Sequence, residues 1–176
     1  MILNLRLAKP IMEQEEGMNH LWIQLFPMNF SPNDKAEILI DLPDGLYRAP
    51  NLNGYEESSS NGILLDLSQD KDVLLELYTQ FPVNFGGAPI SVRLRYHDSE
   101  NNWNELIREL TLQFVNGDEM DALEIDEQVI ERVKEIVNPA ANLSSSHDDL
   151  VNIRPRIYEV RSNAYAYLEK KYRIDY

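Results

Sequence analysis

Ile90-Ser91-Val92-Arg93-Leu94-Arg95-Tyr96-His97 alternates strictly between apolar and polar residues, and Leu106 to Val115 repeats the pattern after a short polar interval. Ile90, Val92, Leu94 and Tyr96 point one way, and Ser91, Arg93, Arg95 and His97 the other, which predicts a strand with one buried and one wet face. In the second run Leu110, Leu112 and Phe114 alternate with Glu109, Thr111 and Gln113. The Asp98-Ser-Glu-Asn-Asn102 interval is turn chemistry, so the two runs read as a hairpin in which Glu109 faces Arg93 or Arg95.

Working outward, the same two-residue period recurs at 2–8, 20–26, 35–42 and 72–79, with weaker instances at 45–48 and 62–67. Leu21, Ile23 and Leu25 share one face of their run, and Ala36, Ile38, Ile40 and Leu42 share a face of theirs. Pro32-Asn33-Asp34, Pro43-Asp44-Gly45, Asn53-Gly54, Asn61-Gly62 and Gly86-Gly87 punctuate the intervals, which leave no room for crossover helices. The expectation is a mainly β protein, an antiparallel sandwich of seven to eight strands over residues 1–116.

After Asn116-Gly117 the period changes. Asp126 reads as an N-cap, and Val129, Ile130, Val133, Ile136 and Val137 recur at helical spacing until Asn138-Pro139, predicting a helix near 126–137. Residues 139–152 read as a polar linker. A second helix is expected over 155–173, where Ile157, Val160, Ala164, Leu168 and Tyr172 form one stripe flanked by Tyr158, Tyr165 and Tyr167. Residues 117–176 are therefore read as a helical C-terminal extension.

The 176 residues carry a net charge of −14, distributed unevenly. Residues 1–153 sum to −17, whereas 154–176 sum to +3 through Arg154, Arg156, Arg161, Lys170, Lys171 and Arg173. An acidic body repels phosphate backbones, so nucleic acid is not an expected partner. No apolar run approaches the roughly 18 to 20 residues of a membrane-spanning helix. Charges at Arg6 and Lys9 interrupt the N-terminal apolar run, and there is no cysteine. Together these point to a cytoplasmic protein without disulfides, thiolate metal sites or a cysteine nucleophile.

Other chemistries have little footing. His20, His97 and His147 stand at no metal-ligand spacing from one another. His97-Asp98 adjoin on a strand and so face opposite ways. Ser58 to Ser60 and Ser144 to Ser146 lack the elbow that presents a nucleophile. Asp98, Glu100, Asn101 and Asn102 lack the ordered calcium-loop spacing, and the acids Asp118, Glu119, Asp121, Glu124, Asp126 and Glu127 suit a helix N-terminus. No glycine-rich phosphate loop follows a strand. No catalytic, cofactor-binding or metal-ligating residue is expected.

The segments Leu21-Trp-Ile-Gln-Leu-Phe26, Lys35-Ala-Glu-Ile-Leu-Ile-Asp-Leu-Pro-Asp-Gly45, Val73-Leu-Leu-Glu-Leu77 and Ile90-Ser-Val-Arg-Leu-Arg-Tyr96, in that order, resemble bacterial immunoglobulin-like and fibronectin-III-like modules. The resemblance covers residues 1–116, without the Cys, Trp, Cys signature of antibody-type domains. It implies a non-enzymatic interaction module or adaptor. The expected contact residues are Ile157, Val160, Tyr165, Leu168 and Tyr172 of the basic C-terminal helix, which would dock on the acidic body, on a second copy or on a protein partner, together with Trp103. Trp22, inside an apolar strand, is expected to be core. Two alternatives are a carbohydrate or small-ligand module using Tyr47, Tyr55 and Trp103, and a hydrolase using paired carboxylates.

Overall fold

The computed structural model describes residues 2–26, 35–84, 86–97, 102–117 and 124–139. The chain divides into two units, Met1–Ser144 and Ser145–Tyr176, and every described residue belongs to the first. The expected linker 139–152, beyond Pro139, and the expected helix 155–173 lie outside the described residues, as do His147, Asp98, Glu100 and Asn101.

Nine strands and one helix occur among the described residues: β1 (Ile2–Leu7), β2 (Ile11–Glu13), β3 (Met18–Phe26), β4 (Lys35–Asp41), β5 (Leu46–Arg48), β6 (Ile63–Asp66), β7 (Asp72–Thr79), β8 (Gly87–His97), β9 (Trp103–Val115) and α1 (Glu127–Val137). The protein is mainly β. One sheet has the order β1-β3-β7-β5, the other β2-β9-β8-β4-β6. Both line one core. Leu3, Leu21, Ile23, Leu25, Val73, Leu75 and Leu77 from the first sheet and Ile38, Ile63, Ile90, Val92, Leu94, Leu112 and Phe114 from the second belong to a single buried cluster. The alternation seen in the sequence is thus the alternation of burial along each strand.

Two details depart from the expectation. β2 is not among the runs that alternation picks out in the sequence. It pairs with β9 in parallel, Met12 beside Phe114, so the sheets are not wholly antiparallel. The chain changes sheets between β1 and β2 at Lys9-Pro10. Buried Asn19 holds that step: its Oδ1 accepts from the Lys9 N–H at 3.1 Å and its Nδ2 donates to the Lys9 carbonyl at 2.8 Å. Beyond β2, Gly17 returns the chain to β3 and exchanges bonds with Thr79 at 2.9 and 3.0 Å. A Cβ there would lie 2.3 Å from the Glu13 carbonyl oxygen, so this close backbone approach admits only glycine.

The second departure is the hairpin register. β9 begins at Trp103, earlier than the alternation suggests, and Arg95 faces Glu105, Arg93 faces Ile107 and Ser91 faces Glu109. Glu105 rather than Glu109 is therefore the acid that meets the arginines, at 3.0 Å from Arg95 and 4.0 Å from Arg93.

A polar knot holds the long connection between β5 and β6. Arg48 donates to both carboxylate oxygens of Glu57 at 3.2 and 2.9 Å, and Asn51 donates to Glu57 from its backbone and side chain at 2.8 and 2.9 Å. The Arg48 bond, opposed by burial and aided by Asn51, pulls the Glu57 carboxyl down to about 2. A carboxyl depressed on folding stabilises the native state above its unfolded value, and that stability is lost as pH falls toward the folded value. Glu57→Gln is accordingly expected to cost about 2 kcal/mol at neutral pH, discounted for partial exposure. The difference from the parent, followed by urea denaturation, should shrink steadily as pH falls from about 4.5 toward 2.

Candidate interaction surface

The outer faces of the two sheets are treated differently. On the first, α1 lies across β1, β3 and β7. Asp126 caps it as its sequence predicts: Oδ1 accepts from the Gln128 and Val129 N–H groups at 3.1 and 3.4 Å, and Oδ2 accepts from Arg6 Nε at 2.9 Å. The Asp126 N–H donates to the Ala8 carbonyl at 2.9 Å, tying the start of the helix to the end of β1. Val129 is fully buried with Ala8 and Leu74, while Ile130, Val133 and Ile136 close over Trp22 and Leu52. Val137, grouped with them by spacing, is 56% exposed. Covering this face explains why Leu74, on the side of β7 away from the main core, has no exposed surface.

Asp72 is the polar centre of that contact. Only 7% exposed, it accepts from Trp22 Nε1 at 2.8 Å and receives Arg132 on both oxygens, Nε at 2.7 Å and Nη2 at 3.0 Å. Trp22, expected to be core, packs beneath the helix against the cluster of Ala8, Leu74 and Val129 with its N–H bonded, and Arg6 lies over the ring at 5.7 Å.

On the second sheet no described element covers the outer face. Its side chains form a grid read directly from the register. Asp41, Ser91 and Glu109 make one row, Leu39, Arg93 and Ile107 the next, and Leu64, Glu37, Arg95 and Glu105 the third; His97 and Trp103 lie beyond. Trp103 is 68% exposed, Ile107 47% and Leu64 39%. Trp103, which precedes the run Leu106 to Val115 read from the sequence, is the first residue of β9 and packs on His97 with ring centres 3.9 Å apart. Arg93 reaches Asp41 at 2.6 Å. Glu37 is anchored at the β6 side, accepting from Ser58 Oγ at 3.0 Å and lying so close to Gly62 that any Cβ there would displace it. Five carboxylates (Glu37, Asp41, Asp66, Glu105, Glu109) face three cations (Lys35, Arg93, Arg95), so the grid is acidic with apolar corners.

The face therefore presents a tryptophan, an isoleucine and a leucine held on rigid strands amid fixed ion pairs, the mixture that serves protein contact. The other expected aromatics are not gathered with it. Tyr47 stacks on Tyr78 at 5.8 Å in the first sheet. Tyr55 packs against the core, where burial, with Asp70 and Asp72 nearby, pushes its hydroxyl up to about 12. The hollow beside Trp103 is lined by Glu37, Arg95, Asn104 and Glu105, and neither tyrosine reaches it.

No family model and no curated protein matches this chain. Among solved structures it is similar to the crystal structure of a DUF4466 family protein from Parabacteroides merdae, at 15% identity and a TM-score of 0.22, over 60% of this chain and 42% of that one. The chain thus spans less than half the length of that protein, and a likeness this slight bears on neither fold nor function.

Among the described residues no group of three His, Asp or Glu side chains is placed to hold a metal ion, and no helix is long and apolar enough to cross a membrane. His20, half-buried beside Glu76 at 3.9 Å, has its pKa lowered by burial, against the opposing pull of that carboxylate. Ile157, Val160, Tyr165, Leu168 and Tyr172 lie outside the described residues. Of the contact residues expected from sequence only Trp103 is placed. Ile107 and Leu64, its companions on the face, carry no signal in the sequence, because each lies singly within a run whose other face supplies the core.

Proposed function

We propose that this chain is a non-enzymatic protein-interaction module, cytoplasmic, in which an immunoglobulin-like body works together with the basic amphipathic segment 155–173, read as a second C-terminal helix. Supporting the immunoglobulin-like reading, β1-β3-β7-β5 follows the spatial order A, B, E, D and β9-β8-β4 the order G, F, C. The departure is that β5 precedes β6, so the strand beside C comes after the strand beside E.

The observation that carries the functional reading is the unequal treatment of the two sheets: α1 packs on one outer face over Ala8, Leu74 and Trp22, whereas no described element packs on the other, which leaves Trp103 68% exposed. In the full chain, Val160→Glu/Leu168→Glu places two charges on the apolar stripe. Affinity capture with quantitative mass spectrometry is expected to lose partners with this variant. Unchanged partners together with an unchanged unfolding midpoint would remove the basis of the reading.

A further inference from the structure

We infer that the open edge of β9, from Trp103 to Thr111, is a strand-addition site for an extended peptide segment of a partner protein, one that carries basic residues opposite Glu105 and Glu109. The inference rests on the proposed function, which makes the chain a protein-interaction module, and adds the surface used and the chemistry of the partner.

Backbone geometry carries the inference. β9 runs 13 residues and pairs with β8 from Trp103 to Gln113, but on its other side β2 covers it only at Gln113, Phe114 and Val115. Two hydrogen bonds fix which groups point where. The Phe114 N–H donates to the Gly86 carbonyl at 3.0 Å, so the even-numbered residues of β9 bond toward β8. The Val115 carbonyl accepts from the Gln14 N–H at 3.0 Å, so the odd-numbered residues bond toward the β2 side. The N–H and C=O groups of Trp103, Glu105, Ile107, Glu109 and Thr111 therefore line an edge about 27 Å long that no described strand pairs. The other sheet edges are short. β1 has six residues, β2 and β5 three each, and β6 four, with the Leu64 N–H already bonded to the Glu56 carbonyl at 2.9 Å. An open edge as long as that of β9 recruits a further strand through main-chain hydrogen bonds.

Side chains along the edge set what the added strand must carry. On the outer face Glu109 makes no ion pair among the described residues, and Glu105 remains exposed beside Arg95 at 3.0 Å. On the inner face Leu106 and Leu110 are half-buried against the main core, and Arg108 between them donates from Nη1 to the Ile107 carbonyl at 3.0 Å. A segment with basic residues outward, apolar residues inward and an acid for Arg108 completes this edge, and a body of net −17 draws it in. Its outward side chains would lie alongside Trp103 and Ile107, extending the exposed face. A second copy fits the edge poorly. Pairing β9 with itself about a two-fold axis sets Glu105 against Glu109 when centred on Ile107, and Arg108 against itself when centred there. Centring on Leu106 leaves only 103–109 paired.

The probe is a synthetic peptide as long as 103–111, designed antiparallel to β9 with lysines opposite Glu105 and Glu109, a glutamate opposite Arg108 and valines opposite Leu106, Ile107 and Leu110. Amide exchange in the full chain, read residue by residue by NMR, is the measurement. In the free protein the amides of Glu105, Ile107, Glu109 and Thr111 are expected to exchange quickly, whereas those of Leu106, Arg108, Leu110 and Leu112, bonded to β8, exchange slowly. Saturating peptide is expected to slow the odd set at least about tenfold and to leave the even set unchanged. Ile107→Pro removes one edge N–H without touching the bonds to β8. It is expected to weaken peptide binding at least about tenfold at an unchanged unfolding midpoint, with Ile107→Val binding like the parent. Should Ile107→Pro lower the midpoint, the exchange pattern of the parent chain decides alone. Odd amides already slow without peptide, or slowed merely by raising the protein concentration, would mean that the chain itself or a second copy takes the edge, and would overturn the inference. So would a peptide that leaves the odd amides fast. In that event, loss of partner capture with Trp103→Ala would leave the interaction reading standing, so the two fail separately.

Discussion

Asp72→Ala is expected to destabilise the protein by about 3 kcal/mol, because it strands two groups that were bonded out of water. Trp22 Nε1 and the two Arg132 nitrogens that now meet the carboxylate at 2.7 to 3.0 Å would lose their acceptor at a position only 7% exposed. Asn53 would lose a contact as well, and it accepts from the Leu74 N–H at 2.7 Å, so the edge of β7 loosens with it. The effect is specific to an unpaired cation. Asp72→Ala combined with Arg132→Met removes both charges and keeps an apolar stem on α1, and is expected to recover at least about 1 kcal/mol of the loss. Urea denaturation supplies the energies, and amide exchange over 127–137 should rise in the single variant, since α1 is the element released. A single-variant cost under about 1 kcal/mol would mean that the helix is held by its apolar face alone.

Leu94→Ala and Trp103→Ala form the second large contrast, on adjoining strands of one sheet. Leu94 has no exposed surface and lies in the cluster between the sheets, so its truncation is expected to cost about 3 kcal/mol through lost transfer energy and a residual cavity. Trp103, far larger, is 68% exposed and gives up chiefly its packing on His97, so its truncation should cost less than about 1 kcal/mol. Partner capture should change in the opposite sense: Trp103→Ala weakens it at nearly unchanged stability, whereas Leu94→Ala affects it only through the folded fraction. Equal destabilisation by the two changes would place Trp103 in the core and take it off the contact surface.

Much of the body is legible because a strand with one buried face repeats every two residues. Leu21, Ile23 and Leu25, Ala36 and Ile38, and Ile90, Val92 and Leu94 are all buried on the faces their alternation assigns. Asp126 is legible as a cap for a similar reason, since the four free N–H groups of a helix start select a short acceptor side chain locally. Signals of this kind depend on neighbours a few residues away.

What depends on distant neighbours is not legible in this way. Alternation says which side chains turn inward but is silent on which strand lies alongside, so neither the parallel β2–β9 pair nor the division into four and five strands follows from it. The hairpin pattern likewise leaves Glu105 and Glu109 equivalent until β9 begins at Trp103 and places Glu105 opposite Arg95. Trp22 and Arg132 meet through Asp72 across separations of 50 and 60 residues, and no local pattern announces such a meeting. By itself the sequence determined the inward and outward side of the longer strands and where a helix would start, because those preferences are settled within a turn or a pleat. Which outer face received a helix and which kept its tryptophan in water was decided by tertiary packing, because burial on that side depends on what the rest of the chain brings to it.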